Sequence, residues 1–425
     1  MAKILGILAL FILLILMGLP IVFSMGVLSL TAFVGESMYF TAVAQKLFSS
    51  IDSFSYLSIV LFIFAAEVMT CCELTEDLVK FCNAFIGHIR GGLALVNVLA
   101  SMLFAGVSGS ASADTSGLGR VEIDMMTKAG YDRTYSTTVT VASSIIGPII
   151  PPSNIFIIYA TIASCSVAGM FMAGILPGII LGVVYMILCE YFAIRYNHPR
   201  GRKFTWRERA YTTYHALPVL LLPVIIIGGI SFGVFTAVES AAVATVYAII
   251  IAAIRRKLTF QLLYGCLVRA AKMCASIMLI IAVASVMGYA ITLMGLPNMI
   301  AGWFQENITS KYMFLLILNL ILLVLGCLLD QAPALLLTAP VLLPIAMTYG
   351  IDPIHFGIIA CVNLSVGLTT PPVGMQLFIG ANVGNVRLAD LYRSIWPFVV
   401  CGVITLIIIT FTDVCLLLPR WMGYV

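Results

Sequence analysis

Apolar residues in this chain run in stretches long enough to cross a bilayer, which takes about 20 residues. They predict spans over 4–34, 54–75, 136–160, 166–192, 213–231, 235–254, 272–294, 356–380 and 393–418. Two further apolar pairs, 91–125 and 312–345, are interrupted by the polar clusters "GVSGSASADTSG" (106–117) and "GCLLDQAPA" (326–334). Their arms are too close in sequence to be two full spans, so each pair predicts a re-entrant helical hairpin, with tips near Ser108–Ser112 and Cys327–Pro333. Two of the full spans carry another kind of interruption, "SIIGPIIPPSNIF" (144–156) and "SVGLTTPPVGMQLF" (365–378). Proline has no N–H to donate, and its ring clashes with the preceding turn. Both helices should unwind there, although in lipid each freed carbonyl is costly unless something else satisfies it.

Of the 425 residues, 62% are apolar and 9% charged, against about 45–50% and 25% in a soluble domain. The chain therefore reads as an all-α polytopic membrane protein with the bilayer as its solvent. The net charge of +4 lies in loops and sets orientation; it does not point to nucleic acid. The basic stretches "RYNHPRGRKFTWRER" (195–209) and "RRK" (255–257) belong in the cytoplasm by the positive-inside rule. Counting spans outward puts the loop 120–135 and Lys3 in the cytoplasm and the C-terminus in the periplasm, with Arg420 against the bias. The N-terminal run "MAKILGILALFILLILMGLP" is followed by no convincing cleavage site and reads as a retained helix. Most of the eleven cysteines sit inside apolar runs and read as small buried hydrophobes. The four histidines, at 88, 198, 215 and 355, are scattered and read as surface or interfacial residues.

A repeat underlies the pattern. Gly106, Gly130, Asp132, Gly147, Pro151, Pro152 and Pro177 are matched by Gly326, Gly350, Asp352, Gly367, Pro371, Pro372 and Pro397, always 220 residues on. The loop 120–135 holds Arg120, Lys128 and Arg133, whereas 340–355 has no Lys or Arg, which places the two on opposite sides of the membrane. The repeat is therefore expected to be inverted. The expected organisation is a scaffold helix within 1–53, a first unit over 54–192, central scaffold and arm helices over 193–271, and a second unit over 272–425. Inverted repeats with paired broken helices are the sequence mark of a secondary transporter whose site lies near the midplane.

Unwound backbone offers carbonyls to a hard cation such as Na⁺ and free N–H groups to an anion. Two related cation sites are expected where hairpin tips meet breaks. One joins Ser108 and Ser110 to Gly147; the other joins Gly326 and Asp330 to Gly367, Thr370 and Val373. Substrate contacts are expected at the same tips and breaks, from Ser108, Gly109, Ser110, Ser112, Pro151, Ser153, Pro371 and Gly374. Small residues also let membrane helices pack closely, so any one serine here is equally well a packing residue; four breaks in register are not. Intramembrane charge is functional by default. Asp330 matches Ser110 in the 220-residue frame, so it is not the symmetry mate of Asp114. Asp330 is the better cation ligand, and Asp114 is expected to cap a hairpin arm. Glu239 is expected to pair with a polar group or to hold two elements together, and Glu67 has no evident role.

At these residues the chain resembles the large membrane subunit of the tripartite ATP-independent periplasmic (TRAP) transporters, the DctM-like family. The matching stretches are "SGSASADTSGLGRVEIDMMTKAGYD", "IIGPIIPPSNIFIIYA", "LPVIIIGGISFGVFTAVESAAVA" and "GIDPIHFGIIACVNLSVGLTTPPVGMQLF", and the likeness covers essentially the whole chain. The resemblance implies an elevator-type carrier in the bacterial inner membrane, with a mobile core moving against a scaffold. It also implies Na⁺-coupled uptake of a carboxylate-bearing solute delivered by a periplasmic binding protein, with a separate small four-helix membrane subunit as partner. The stretch "ADTSGLGRVEI" is similar to sialic-acid members; C4-dicarboxylates and sugar acids remain alternatives. One departure is "DQAPALLL", where Gln331 and Pro333 should alter the second hairpin tip. The competing readings are a stand-alone Na⁺/dicarboxylate symporter, an intramembrane aspartyl protease using Asp114 and Asp330, and a structural scaffold. The protease lacks its Gly-x-Gly-Asp context, and a scaffold would not need four broken segments. No enzymatic activity is expected.

Overall fold

A computed structural model describes residues 17–32 and 38–425, together with Gly6, Leu10, Leu13 and Leu14. Of the expected N-terminal span 4–34, only the helix Ile21–Ala32 is continuously described; Lys3 and most of the earlier residues lie outside the described residues. Among the described residues, six helices are long and apolar enough to cross a membrane: Val167–Arg195, Trp206–Ser231, Ala237–Ile254, Phe260–Leu293, Lys311–Leu328 and Gln331–Thr348. Their outward faces are apolar as well. Leu316, Leu320 and Val324, one turn apart on Lys311–Leu328, are all exposed. A helix that is apolar on both faces has lipid outside it, not water.

Two expected spans are bent. Tyr56–Cys71 turns by 71° into Glu76–Ile86, with Glu73 in a left-handed conformation at the corner (φ 53°). The new helix then starts on Glu76 and Asp77, whose charges favour a helix N-terminus. Leu388–Ser394 turns by 49° into Trp396–Phe411, with Pro397 in the first turn of the second piece. Phe260–Leu293 starts well before residue 272, because Arg269 and Lys272 interrupt the apolar run without interrupting the helix. The helices Met38–Ser49 and Leu296–Asn307 were not anticipated, being short and only partly apolar.

The helix boundaries keep the 220-residue spacing. Ala111–Lys128 and Gln331–Thr348 begin and end in register, and Arg133 and Pro353 start the next helix in each unit. The matched residues have matched work. Gly130 and Gly350 take positive φ (93° and 69°) just after a helix end, where only glycine is unstrained. Asp132 then accepts from the Tyr135 N–H at 2.8 Å, and Asp352 from the Ile354 N–H at 2.8 Å, each capping the helix that follows.

The first hairpin is Gly92–Ser108 and Ala111–Lys128, turning at Gly109–Ser110. The second is Lys311–Leu328 and Gln331–Thr348, turning at Leu329–Asp330. Each interrupted helix has two halves: Arg133–Ser144 with Asn154–Ala163, and Pro353–Gly367 with Met375–Gly384. The first half packs on its own hairpin. The second half crosses over, Asn154–Ala163 lying on Gln331–Thr348 and Met375–Gly384 on Ala111–Lys128. Buried amides tie the first halves down. In the first unit the Ser143 hydroxyl donates to Asn97 Oδ1 at 2.8 Å and Asn97 Nδ2 to Thr140 Oγ1 at 2.6 Å. In the second, at the position matching Ser143, Asn363 Nδ2 donates to Asn319 Oδ1 at 2.8 Å. Ala237–Ile254 and Phe260–Leu293 both pack on Tyr56–Cys71 to form a wall, and Phe260–Leu293 also lies on Gln331–Thr348.

Candidate functional site

The first break runs between Ser144 and Asn154, and its Pro151–Pro152 bond is cis, as is Pro371–Pro372 in the second. The first hairpin tip is pressed against it. Gly109 has φ +58°, and a Cβ there would stand 2.5 Å from the Pro152 carbonyl oxygen. A Cβ on Gly147 would stand 3.3 Å from the Ser110 carbonyl oxygen. Gly109, Ser110, Gly147 and Pro152 thus meet. The Ser110 hydroxyl accepts from the Ala113 N–H at 3.4 Å and caps the second arm. Ser108 is buried, and its hydroxyl has no partner among the described residues. Ser112 faces the other unit, accepting from Gln376 Nε2 at 3.2 Å. Pro151 is buried. Ser153 is fully buried; it donates to the Pro148 carbonyl at 2.5 Å and accepts from the Phe156 N–H at 3.4 Å, capping the helix after the break.

At the second break the contact is closer. A Cβ on Gly367 would stand 2.6 Å from the Gly326 carbonyl carbon. Cys327 Sγ donates to the Thr370 carbonyl at 3.1 Å, and the Gly374 N–H donates to the Cys327 carbonyl at 3.0 Å. Gly326, Gly367, Thr370 and Gly374 therefore converge on the tip. The Thr370 hydroxyl donates to the Val366 carbonyl at 2.9 Å. Tyr392 Oη donates to the carbonyls of Pro372 at 2.6 Å and Val373 at 3.4 Å. Pro371 is partly exposed. Asp330 caps the second arm, its Oδ1 accepting from the Gln331 N–H at 2.8 Å. Gln331 fastens the tip instead of loosening it: its Nε2 donates to Ser365 Oγ at 2.6 Å. Pro333 falls in the first turn of its helix, where a missing N–H costs nothing.

Carbonyl and hydroxyl oxygens of this kind suit a hard cation, and the partnerless Ser108 hydroxyl, at the end of the first hairpin arm, is one such oxygen. Among the described residues no group of three or more His, Cys, Asp or Glu side chains is placed to hold a metal.

Glu239 pairs with polar groups as expected, accepting from the Thr236 N–H at 2.8 Å and the Thr236 hydroxyl at 2.9 Å in the capping box of its helix. Two expectations about charge are corrected. Asp114 caps nothing: Ser110 does, and both Asp114 oxygens are buried without a partner among the described residues, as are those of Glu122 in the same helix. His355 is buried, not interfacial, with Nε2 3.0 Å from the Ile409 carbonyl. Glu67 accepts from Arg269 Nε at 2.9 Å. Arg269 was missed because it lies ahead of the apolar run that marked its span, although an acid inside the facing helix signals a basic partner.

Two cavities flank the wall formed by Tyr56–Cys71 and Phe260–Leu293. One, about 510 Å³, lies at Tyr56 and Ser285–Thr292, with Lys46, Ser53, Thr161 and Leu336 around it. The other, about 210 Å³, lies at the opposite ends of the same helices, at Glu67–Cys71 and Arg269–Met273, and is closed by Ser108 and Ser116 of the first hairpin.

Residues 8–414 match the family described as the DctM component of the tripartite ATP-independent periplasmic transporters. The chain belongs to this family. It is 37% identical to the C4-dicarboxylate TRAP transporter large permease protein DctM of Pseudomonas aeruginosa, over 94% of this chain and 93% of that one. It is 35% identical to the sialic acid TRAP transporter large permease protein SiaM of Vibrio cholerae, over 96% of each. The solved structure of the Alcanivorax borkumensis YdaH transporter shares the fold, with a TM-score of 0.65 at 14% identity over 92% of this chain and 90% of that one. For a DctM component, a catalytic aspartate dyad has no support in the geometry. Asp330 is a helix cap, and Asp114 shares no hydrogen bond with it.

Proposed function

We propose that the chain is the membrane permease of a tripartite carrier that takes up a carboxylate-bearing solute with Na⁺ across the bacterial inner membrane. The observation that carries this is the pairing of hairpin tips with breaks: Ser110 against Gly147, and Gly326 against Gly367. Each puts backbone carbonyls of an interrupted helix beside polar groups of a tip, the arrangement by which unwound segments hold coupling ions. Na⁺ is assigned to Ser108, Ser110 and Gly147 at one tip, and to Gly326, Asp330, Gly367, Thr370 and Val373 at the other. The solute lies beside a tip. The two units form an inverted repeat, supported by the common 220-residue frame and by their opposite loop charge.

The hairpins and interrupted helices are the moving core of an elevator. The wall of Tyr56–Cys71, Ala237–Ile254 and Phe260–Leu293 belongs to the scaffold, which a small four-helix subunit completes. The N-terminus is cytoplasmic and the C-terminus periplasmic. A periplasmic binding protein delivers the solute, which is a C4-dicarboxylate, sialic acid or a sugar acid. The test is uptake into proteoliposomes holding this chain and the small subunit, with an inward Na⁺ gradient. Uptake should need both the gradient and the binding protein; uptake without the binding protein would make the chain a stand-alone symporter instead.

A further inference from the structure

The smaller cavity has features that the paired breaks do not explain. One side is Glu67 and Thr70 on Tyr56–Cys71 with Arg269 and Met273 on Phe260–Leu293; the other is Ser108 and Ser116 of the first hairpin. We propose that Arg269 binds the carboxylate of a small anionic solute in this cavity, and that Glu67 is its internal competitor, holding the guanidinium while the solute is absent. The proposal rests on the transport reading above and gives the solute's carboxylate a partner.

Three observations carry it. First, the guanidinium is poorly partnered. Nε donates to Glu67 Oε2 at 2.9 Å, but Nη2 faces Cys71 Sγ at 2.5 Å and Cys266 Sγ at 3.3 Å. Sulfur is a weak acceptor, so the planar fork that takes a carboxylate in two parallel bonds is largely unused. Second, the Arg269 side chain is half exposed and Glu67 a quarter exposed. The pair is thus open to the cavity, and a second carboxylate can take the place of Glu67 at the guanidinium. Third, the Ser108 hydroxyl, buried and partnerless, lines the same cavity. A solute held by Arg269 is therefore beside the first tip, where a cation at Ser108 and Ser110 would share its charge.

The test is labelling of the purified full chain with phenylglyoxal, an arginine reagent, read at Arg269 by mass spectrometry. Succinate should slow labelling of Arg269 severalfold; 1,4-butanediol, the same skeleton without carboxylates, should not. Glu67→Gln should label faster without solute and be protected at a lower succinate concentration. Labelling of Arg269 slowed by neither succinate nor N-acetylneuraminate overturns the site. Na⁺-driven uptake by a chain whose Arg269 is not protected removes this inference alone. Protection without Na⁺-driven uptake leaves the site and removes the transport reading.

Discussion

Gly326 of the second hairpin and Gly367 of the helix it faces lie backbone against backbone. A Cβ on Gly367 would stand 2.6 Å from the Gly326 carbonyl carbon and 2.7 Å from its Cα. Neither atom belongs to a flexible side chain, so the clash is relieved only by moving the hairpin. Gly367→Ala should therefore cost about 1–3 kcal/mol, the usual range for overpacking, and should abolish Na⁺-driven uptake. At Gly147 the nearest atoms are 3.0–3.3 Å away, a distance a small shift absorbs. Gly147→Ala should fold nearly normally and change the Na⁺ requirement modestly. Melting temperature in detergent and a Na⁺ titration of uptake check both; equal behaviour of the two variants would contradict the difference in packing.

Asp330 has two roles that one substitution pair separates. It caps the second hairpin arm through Gln331, and it supplies negative charge to the proposed cation site. Asparagine caps a helix about as well as aspartate, whereas alanine loses about 1 kcal/mol. Asp330→Asn should keep wild-type stability and lose most Na⁺-coupled uptake; Asp330→Ala should lose both. An Asn variant with an unchanged Na⁺ titration would leave Asp330 as a cap only. Thr370→Val should raise the Na⁺ requirement by less, because the carbonyl of residue 370 is retained.

The sequence made the hairpins and breaks legible because glycine and proline leave so few backbone choices. The turns at Gly109–Ser110 and Leu329–Asp330 fall inside the polar clusters that marked the tips. The corner at Glu73 was not legible: one residue in a left-handed conformation turns a helix without changing its hydropathy. Arg269 and the cavity beside it were missed for another reason. A cavity is made by helices distant in the chain, and Glu67 and Arg269 are 202 residues apart. Ser153 shows the limit of motif reading. Its place beside the prolines suggested a solute contact, but its hydroxyl is consumed at both ends by the break itself.

His198 gives the loop after Val167–Arg195 a pH dependence with a definite sign. Its ring packs against Tyr131 and Tyr135, with centroids 4.8 Å apart in each case, and its Nδ1 has no partner among the described residues. Burial pulls the imidazole below its ordinary 6.5, since the charged form loses hydration. The unfolded loop then binds the proton more readily than the folded one, and stability falls as pH falls. The contribution is complete above the unfolded value near 6.5 and declines as pH drops from there through the lower folded value. Protection factors of residues 196–205, taken relative to the intrinsic slowing of exchange as pH falls, should therefore drop between neutral and mildly acidic pH. His198→Phe should keep the ring packing and remove that dependence. A variant that retained the full wild-type acid response would show that another group, not this imidazole, governs the loop.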